Sequence, residues 1–278
     1  MLAASDRDTV TRLLEEDLLR NVVTLKMMNS HAAAMTFHLC RQADGWAALS
    51  LLPAGASDWD RHAYPGARFV ALVDGTSVSA ALSLLHRLPE GPVVLKTGEP
   101  RLHATLDQVP MAKCTAVFRS FTTRPGAPAA ALDSSVPEAS VLDDDAAALF
   151  RGNGYQADEL ARYFANGARW FGVRSAGVLA SACFVFQNYG PVWEVAGVRT
   201  LEQFRRKGMG RRIVTAALSH LQRNARLPRY QARADNTASI DLALTCGLVE
   251  FLRVQHYFLP EPAVASLRER RPPGRGTY

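Results

Sequence analysis

The six residues Arg205-Arg206-Lys207-Gly208-Met209-Gly210 stand between a run with strand character, Val192 to Thr200, and an amphipathic run, Met209 to Arg223. Two glycines in a basic turn at a helix start let backbone N–H groups close around an anion. The helix dipole and the nearby cations favour negative charge at the same place. The helix reads as two-faced, with Ile213, Val214, Ala217, Leu218 and Leu221 on one side and Arg211, Arg212, Thr215, Ser219 and Gln222 on the other. Such a helix packs one side on a sheet and presents its N-terminus outward. The turn is not a P-loop, which needs G-x-x-x-x-G-K-[ST]. Nor is it a dinucleotide fingerprint, because Ile213 stands where the third glycine belongs.

The elements around it alternate. In the second half, Asp143 to Phe150 and Ala157 to Asn166 read as helices. Trp170 to Arg174 and Val178 to Gln187 read as a hairpin turned by Ser175-Ala176-Gly177. After the glycine-flanked helix come a strand from Arg229 to Ala234, a short helix from Thr237 to Cys246 closed by Gly247, and a last strand from Val249 to Leu259. The first half opens with a helix around Thr9 to Thr24. Strands follow at Met35 to Cys40, Gly45 to Leu52 and Arg68 to Leu72, then a helix at Val78 to Arg87 and a strand at Val93 to Leu95. The pattern predicts an α/β (α+β) chain with a mixed central sheet flanked by helices.

Composition divides the chain near its middle. Thr122 to Ser135 is rich in proline, glycine, alanine and serine without periodicity, which marks a linker. The expected organisation is an N-terminal α/β domain over 1–125, a linker over 126–137, a second domain over 138–260 and a basic tail over 261–278 that frays. At 278 residues and 48% hydrophobic composition there is ample material for two packed cores.

A formal charge of +6 gives a positive field that suits an anionic ligand. No basic stripe interleaves with aromatics, so nucleic acid is not an expected partner. Cys40, Cys114, Cys183 and Cys246 lie far apart with no C-x-x-C pair, and His31, His38, His62, His86 and His103 share no ligand spacing. No metal site is expected. The N-terminus has no signal pattern, and the longest apolar run, Ala176 to Phe186, is too short to span a bilayer. The expectation is a cytoplasmic protein without a membrane partner, monomeric or homodimeric.

The run Glu194 to Gly210 resembles the cofactor motif of the GNAT superfamily of N-acetyltransferases. That motif is a strand ending in V-x-T, a short loop with an aromatic, then R/Q-x-x-G-x-G/A opening a helix. Arg205, Gly208 and Gly210 fill its three defining positions, and Asn236-Thr237-Ala238-Ser239-Ile240 with Cys246-Gly247-Leu248 resembles the next motif. The resemblance covers roughly Ser140 to Leu259. It is closest to the glycine N-acyltransferase-like (FR47-like) branch, where a Glu stands six residues before the Thr, as Glu194 stands before Thr200. Leu201-Glu202-Gln203-Phe204-Arg205 matches that branch's loop apart from a missing proline. The branch also implies an N-terminal half that is a degenerate copy of the same fold, and so tandem GNAT-like halves.

The resemblance implies an acyl-CoA-dependent N-acyltransferase, with acetyl-CoA or another acyl-CoA in a splayed gap beside the Glu194 strand. Val198, Arg199 and Thr200 at the strand end, with Arg205, Arg206, Lys207, Gly208, Met209, Gly210 and Arg211, would hold the cofactor. Asn236 would touch its pantetheine arm, and Ser239 would be a further cofactor-binding residue. A strand N–H near Val195 to Val198 would polarise the thioester carbonyl. The acceptor would be the amine of a small molecule or an amino acid, with Glu194 as the general base, directly or through a water. The tyrosine that many members carry seven residues after the Asn is Ala243 here, so Tyr257 is the candidate acid and His256 its alternative. Cys246, at a helix end before Gly247, is not expected to be a nucleophile. The missing tyrosine also leaves open a second reading, a non-catalytic GNAT-like module that binds CoA and regulates.

Overall fold

A computed structural model describes residues 7–128 and 133–269. The chain divides into two compact units, one formed by Met1–Phe118 with Leu252–Tyr278 and the other by Arg119–Phe251.

The first unit begins with helices α1 (Arg7–Glu15) and α2 (Leu18–Ser30). The single helix expected from Thr9 to Thr24 is broken between them, because Asp17 leaves helical geometry and its side chain caps the Arg20 N–H of α2. Strands β1 (Thr36–Gln42) and β2 (Gly45–Pro53) form an antiparallel hairpin. Helix α3 (Asp58–Ala63), strand β3 (Phe69–Gly75), helix α4 (Val78–Leu84), strand β4 (Val93–Thr97), helix α5 (Pro100–Leu106) and strand β5 (Lys113–Thr122) follow. Strand β2 pairs antiparallel with β3, and β3 pairs parallel with β4.

The second unit opens with the two-residue strand β6 (Glu138–Ala139), helices α6 (Asp144–Arg151) and α7 (Ala157–Ala165), and strands β7 (Arg169–Ser175) and β8 (Val178–Tyr189). The β7–β8 hairpin forms as expected, but Ser175 still pairs with Val178, so the turn is the two residues Ala176 and Gly177. Ala176 and Gly177 both take positive φ, at 50° and 77°, as a primed turn requires. Strand β9 (Val192–Thr200), helix α8 (Met209–Arg223), strand β10 (Leu227–Arg233), helix α9 (Thr237–Thr245) and strand β11 (Val249–Leu259) complete it. The order is β5-β10-β9-β8-β7-β6, with β9 antiparallel to β8 and parallel to β10. Each unit therefore holds a mixed sheet.

The two units repeat one plan. Apart from α3, which lies between β2 and β3, three antiparallel strands, a helix, a parallel strand, a helix and a last strand occur as β1-β2-β3-α4-β4-α5-β5 and again as β7-β8-β9-α8-β10-α9-β11. Strand β5 ends in the second unit from Arg119 onward, and β11 ends in the first unit from Leu252 onward, antiparallel beside β4.

The chain beyond β11 differs from the fraying tail expected there. Residues Glu261–Glu269 form helix α10, whose Ala263, Val264 and Leu267 are buried in the core of the first unit with Leu84, Leu95 and Leu102. Apolar residues at that spacing make one helix face, and the core supplies a surface for it. The rest of the expected tail lies outside the described residues. The described end of the expected linker is anchored, since Arg212 Nε donates to Asp133 Oδ2 at 2.8 Å.

Candidate functional site

The site begins where β9 leaves its neighbours. Strands β9 and β10 pair in parallel from Val192 with Leu227 to Val195 with Tyr230, and there the pairing stops. From Ala196 to Thr200, β9 has no partner in β10. On the other side, its register with β8 slips between Ala182 and Phe184, so Gly197 and Val198 together oppose one residue. This is a β-bulge, and Gly197 takes φ 62° within it. A Cβ at Gly197 would come within 2.5 Å of Phe184 and 3.1 Å of Phe150, so only glycine fits. Past Val195 the facing edges of β9 and β10 are no longer hydrogen-bonded to each other, which leaves an opening between them.

The basic turn follows the unpaired end of β9. Gly208 is the N-cap of α8 with φ 75°, and no side chain caps this helix. Arg212 N–H closes the first turn on the Gly208 carbonyl at 3.1 Å, so the N–H groups ahead of it are left for a ligand. A Cβ at Gly208 would meet nothing within 4 Å, which means its Cα faces open space. Arg206, at φ 60°, adds a second left-handed residue, and Lys207 lies over the Phe204 ring. Gly210 serves packing instead: its Cβ position is 3.4 Å from Leu242 and 3.6 Å from Thr200 Oγ1. That contact places the start of α8 beside the end of β9. The arrangement fits a pyrophosphate by its donors, its charge and its open space.

The expected cofactor residues fall into two groups. Thr200 and Val198 face α8, where Thr200 Oγ1 also meets Ser181 Oγ at 2.8 Å and Val198 packs on the core under α8. Arg205 Nε donates to the Thr200 carbonyl at 3.2 Å and so braces the turn. Arg206, Lys207, Met209 and Arg211 lie in or beside the turn itself. Asn236 caps α9, its Oδ1 accepting from Ser239 N–H, and Ser239 Oγ meets the Tyr230 hydroxyl at 2.7 Å. Arg199 faces the other way, its guanidinium against Gly152.

Glu194 lies at the paired end of the opening, one residue before the last paired position. It is 8% exposed and does not stand alone. Arg229, its direct partner on β10, donates Nη1 to Glu194 Oε2 at 2.6 Å, and Asn188 Nδ2 donates to the same oxygen at 2.9 Å. Arg229 Nη2 reaches Ser120 Oγ at 3.2 Å. Both restraints fall on Oε2, so Oε1 is left without a hydrogen-bond donor among the described residues. Asn188 reaches this position because the β8–β9 register slips a second time, between Gln187 and Tyr189.

Tyr257 lies on the part of β11 beyond Phe251. It belongs to the first unit, is 1% exposed in that unit's core, and its hydroxyl bonds Asp107 Oδ1 at 2.7 Å and Gln255 Oε1 at 2.6 Å. Burial and the Asp107 carboxylate raise its pKa above the ordinary tyrosine range. All these partners are in the first unit. His256 is likewise engaged there, Nδ1 at 2.6 Å from the Tyr64 hydroxyl. Ala243 and Cys183 are fully buried, and burial raises the thiol pKa of Cys183 and Cys246. Among the described residues all four cysteines are free and no group of His, Cys, Asp and Glu has metal-ligand geometry.

Sequence reasoning did not single out Arg229, Asn188, Gly197 or Tyr155. Tyr155, in the α6–α7 loop, packs its ring 5.0 Å from Phe184 and lies close to the backbone of Gly197. Burial, then the charges of Glu159 and Glu194, raise its pKa above the ordinary tyrosine range. One signal was available: an isolated glycine inside a strand marks a bulge.

Among the described residues the first unit shows no counterpart of this site. Its β3 and β4 stay paired from Phe69 with Val93 to Val73 with Thr97. The start of α4 is filled, since Ser77 Oγ accepts from Ala80 N–H and itself donates to Asp44 at 2.7 Å. A carboxylate at that helix start leaves no role there for an anion.

Residues 139–248 match the model of the acetyltransferase (GNAT) family. No curated protein matches the chain. Among solved structures, a Drosophila protein aligns over 94% of this chain and 99% of its own, with TM-score 0.60 and 13% identity. A GNAT-family acetyltransferase from Colwellia psychrerythraea aligns over 90% and 95%, with TM-score 0.58 and 10% identity. A tandem GNAT protein from the clavulanic acid biosynthesis pathway aligns over 93% and 97%, with TM-score 0.50 and 15% identity. These likenesses establish the fold, a mixed α/β GNAT fold in tandem. Among the described residues no helix is long and apolar enough to cross a membrane.

Proposed function

Since residues 139–248 match the acetyltransferase (GNAT) family, we propose that this chain is an acyl-CoA-dependent N-acyltransferase, using acetyl-CoA and the amine of a small molecule or amino acid. One observation carries the reading. The uncapped turn at Gly208 follows the unpaired end of β9, and Glu194 lies at the paired end of the β9–β10 opening.

The N–H groups at the start of α8 bind the pyrophosphate, with Arg206, Lys207 and Arg211 adding charge. Acetyl-CoA supplies an acyl group activated as a thioester. The free edge of β9 from Ala196 to Val198 offers backbone donors for the carbonyl oxygen, fixed in place by the bulge. Glu194 Oε1 takes the proton that the acceptor amine loses, while Arg229 and Asn188 hold Oε2 and fix the carboxylate's direction. The nitrogen–carbon bond forms as the carbon–sulfur bond breaks, in a single complex of both substrates. The resemblance to the FR47-like branch belongs to this proposal, as do a cytoplasmic location and a monomeric or homodimeric state.

The test is acetyl-CoA-dependent thermal stabilisation together with CoA release across an amine panel. Stabilisation with turnover supports the proposal. No stabilisation by any acyl-CoA at millimolar concentration refutes it. The second reading, a CoA-binding regulatory module, draws on the Glu194–Arg229 pair, which uses one oxygen of the expected base. Stabilisation without turnover favours that reading.

A further inference from the structure

Among the described arginines of the second unit that are not exposed, Arg199 is the one whose side chain has no partner; Arg119 is paired with Glu250 and Arg169 with Glu138. Arg229 is paired with Glu194, Arg212 with Asp133, and Arg174 with Asp143 and Asp145, while Arg205 is bonded to the Thr200 carbonyl. Arg199 is half-buried and its guanidinium has no hydrogen-bond or ion-pair partner among the described residues. Guanidinium is costly to remove from water unless an anion meets it. A half-buried arginine without one is suited to receive one from a ligand.

Its direction is fixed by two observations. Its cross-strand partner is Ala182, part of the aromatic core beneath α6 and α7. Directly opposed residues on antiparallel strands share a face. The guanidinium also lies over Gly152, where a Cβ would come within 3.0 Å of Cζ and Nη1. Thr200, the next residue, faces α8 and the glycine turn. The charge of Arg199 is therefore directed away from the phosphate cradle.

Glu194 shares the face of Arg199, since its partner Phe186 belongs to the same aromatic core. The loop from Gly152 to Tyr155 follows the strand between them, with Gly152 at Arg199 and Tyr155 at Gly197. One face of β9 thus carries a carboxylate at one end and an unpaired guanidinium at the other.

We infer that Arg199 binds an anionic group of the acceptor, so that the acceptor is an amine carrying a carboxylate or similar anion several bonds from its nitrogen. This rests on the N-acyltransferase reading. Five residues of strand separate the two Cα atoms by roughly 15 Å, shortened somewhat by the bulge. Strand side chains stand roughly perpendicular to the sheet, so the two charged ends stay about that far apart, a span longer than an α-amino acid bridges. An ω-amino acid or a short peptide with a free carboxylate matches it.

The experiment measures CoA release by the full chain with acetyl-CoA and amines of matched length: aminohexanoate, aminohexanol and diaminohexane, with glycine as the short control. Wild-type protein is expected to favour aminohexanoate over diaminohexane by about tenfold or more in kcat/KM, as a charge-assisted contact gives. Arg199→Gln removes the preference and Arg199→Glu reverses it, with KM for acetyl-CoA unchanged. Three results overturn the inference: no preference in the wild type, a preference for glycine over aminohexanoate, or an Arg199→Glu effect confined to KM for acetyl-CoA. Absence of turnover with every amine overturns the parent reading and the inference with it, and is distinguished by the lack of any CoA release.

Discussion

Arg229 and Glu194 face each other across β10 and β9 with Nη1 and Oε2 2.6 Å apart, and both side chains are buried. Removing one partner leaves the other charge buried without compensation, which costs about 3–5 kcal/mol. Arg229→Met is expected to destabilise the protein by that order in urea unfolding. The double variant Arg229→Met with Glu194→Met recovers most of the loss, because two apolar side chains carry no desolvation penalty. Glu194→Gln retains acetyl-CoA-dependent stabilisation and loses turnover, which separates binding from chemistry.

Gly208 gives a second prediction. Its left-handed φ and the open space at its Cα mean that Gly208→Ala meets no clash and pays only backbone strain, about 1–2 kcal/mol. The new Cβ still projects toward the space in front of the helix start, so acetyl-CoA raises Tm less than in the wild type. Gly208→Glu adds negative charge at the same point and abolishes the effect. A Tm shift in Gly208→Glu equal to the wild-type shift would place the phosphates elsewhere.

Gly197 is constrained differently. Its φ is also left-handed, but a Cβ there would meet the Phe184 ring at 2.5 Å within a core that also contains Phe150. Gly197→Ala therefore combines strain with overpacking and is expected to cost about 2–5 kcal/mol. Urea unfolding ranks it well below Gly208→Ala. Pairing Gly197→Ala with Phe184→Leu recovers part of the loss, a result that strain alone does not give.

How far the sequence could be read follows from where each signal is local. Strand β9, helix α8 and strand β11 have the bounds that periodicity and the glycine turn predict, because side-chain alternation and capping are properties of adjacent residues. Strand β5 was missed, since Lys113, Arg119 and Ser120 interrupt its alternation. Arg229 reads in sequence as an ordinary polar residue of a strand. Its place opposite Glu194 depends on the parallel register of β10 with β9, and no local pattern encodes that. Tyr257 was placed correctly on the last strand, but which unit that strand's end joins is set by pairing with β4. Gly197 was the legible omission.

Asp74 gives a pH dependence in the first unit. Burial pushes its carboxyl up to about 6, although the Thr24 hydroxyl, donating to Oδ2 at 2.6 Å, and Arg20 both favour the charged form. A folded-state pKa above the unfolded value makes an acid destabilising once it ionises. Below about pH 3 both states carry the proton and Asp74 has no effect. Between there and pH 6 the unfolded chain ionises first, so stability falls as pH rises, and above pH 6 the cost is complete. Asp74 is half-buried, so water screens part of that cost and leaves on the order of 1–2 kcal/mol. Asp74→Asn keeps an acceptor for Thr24 and removes the titration. It is expected to be more stable than wild type by that amount at pH 8, with the difference vanishing at about pH 3. Urea unfolding at the two pH values measures it, and a difference of equal size at both would assign the effect to packing.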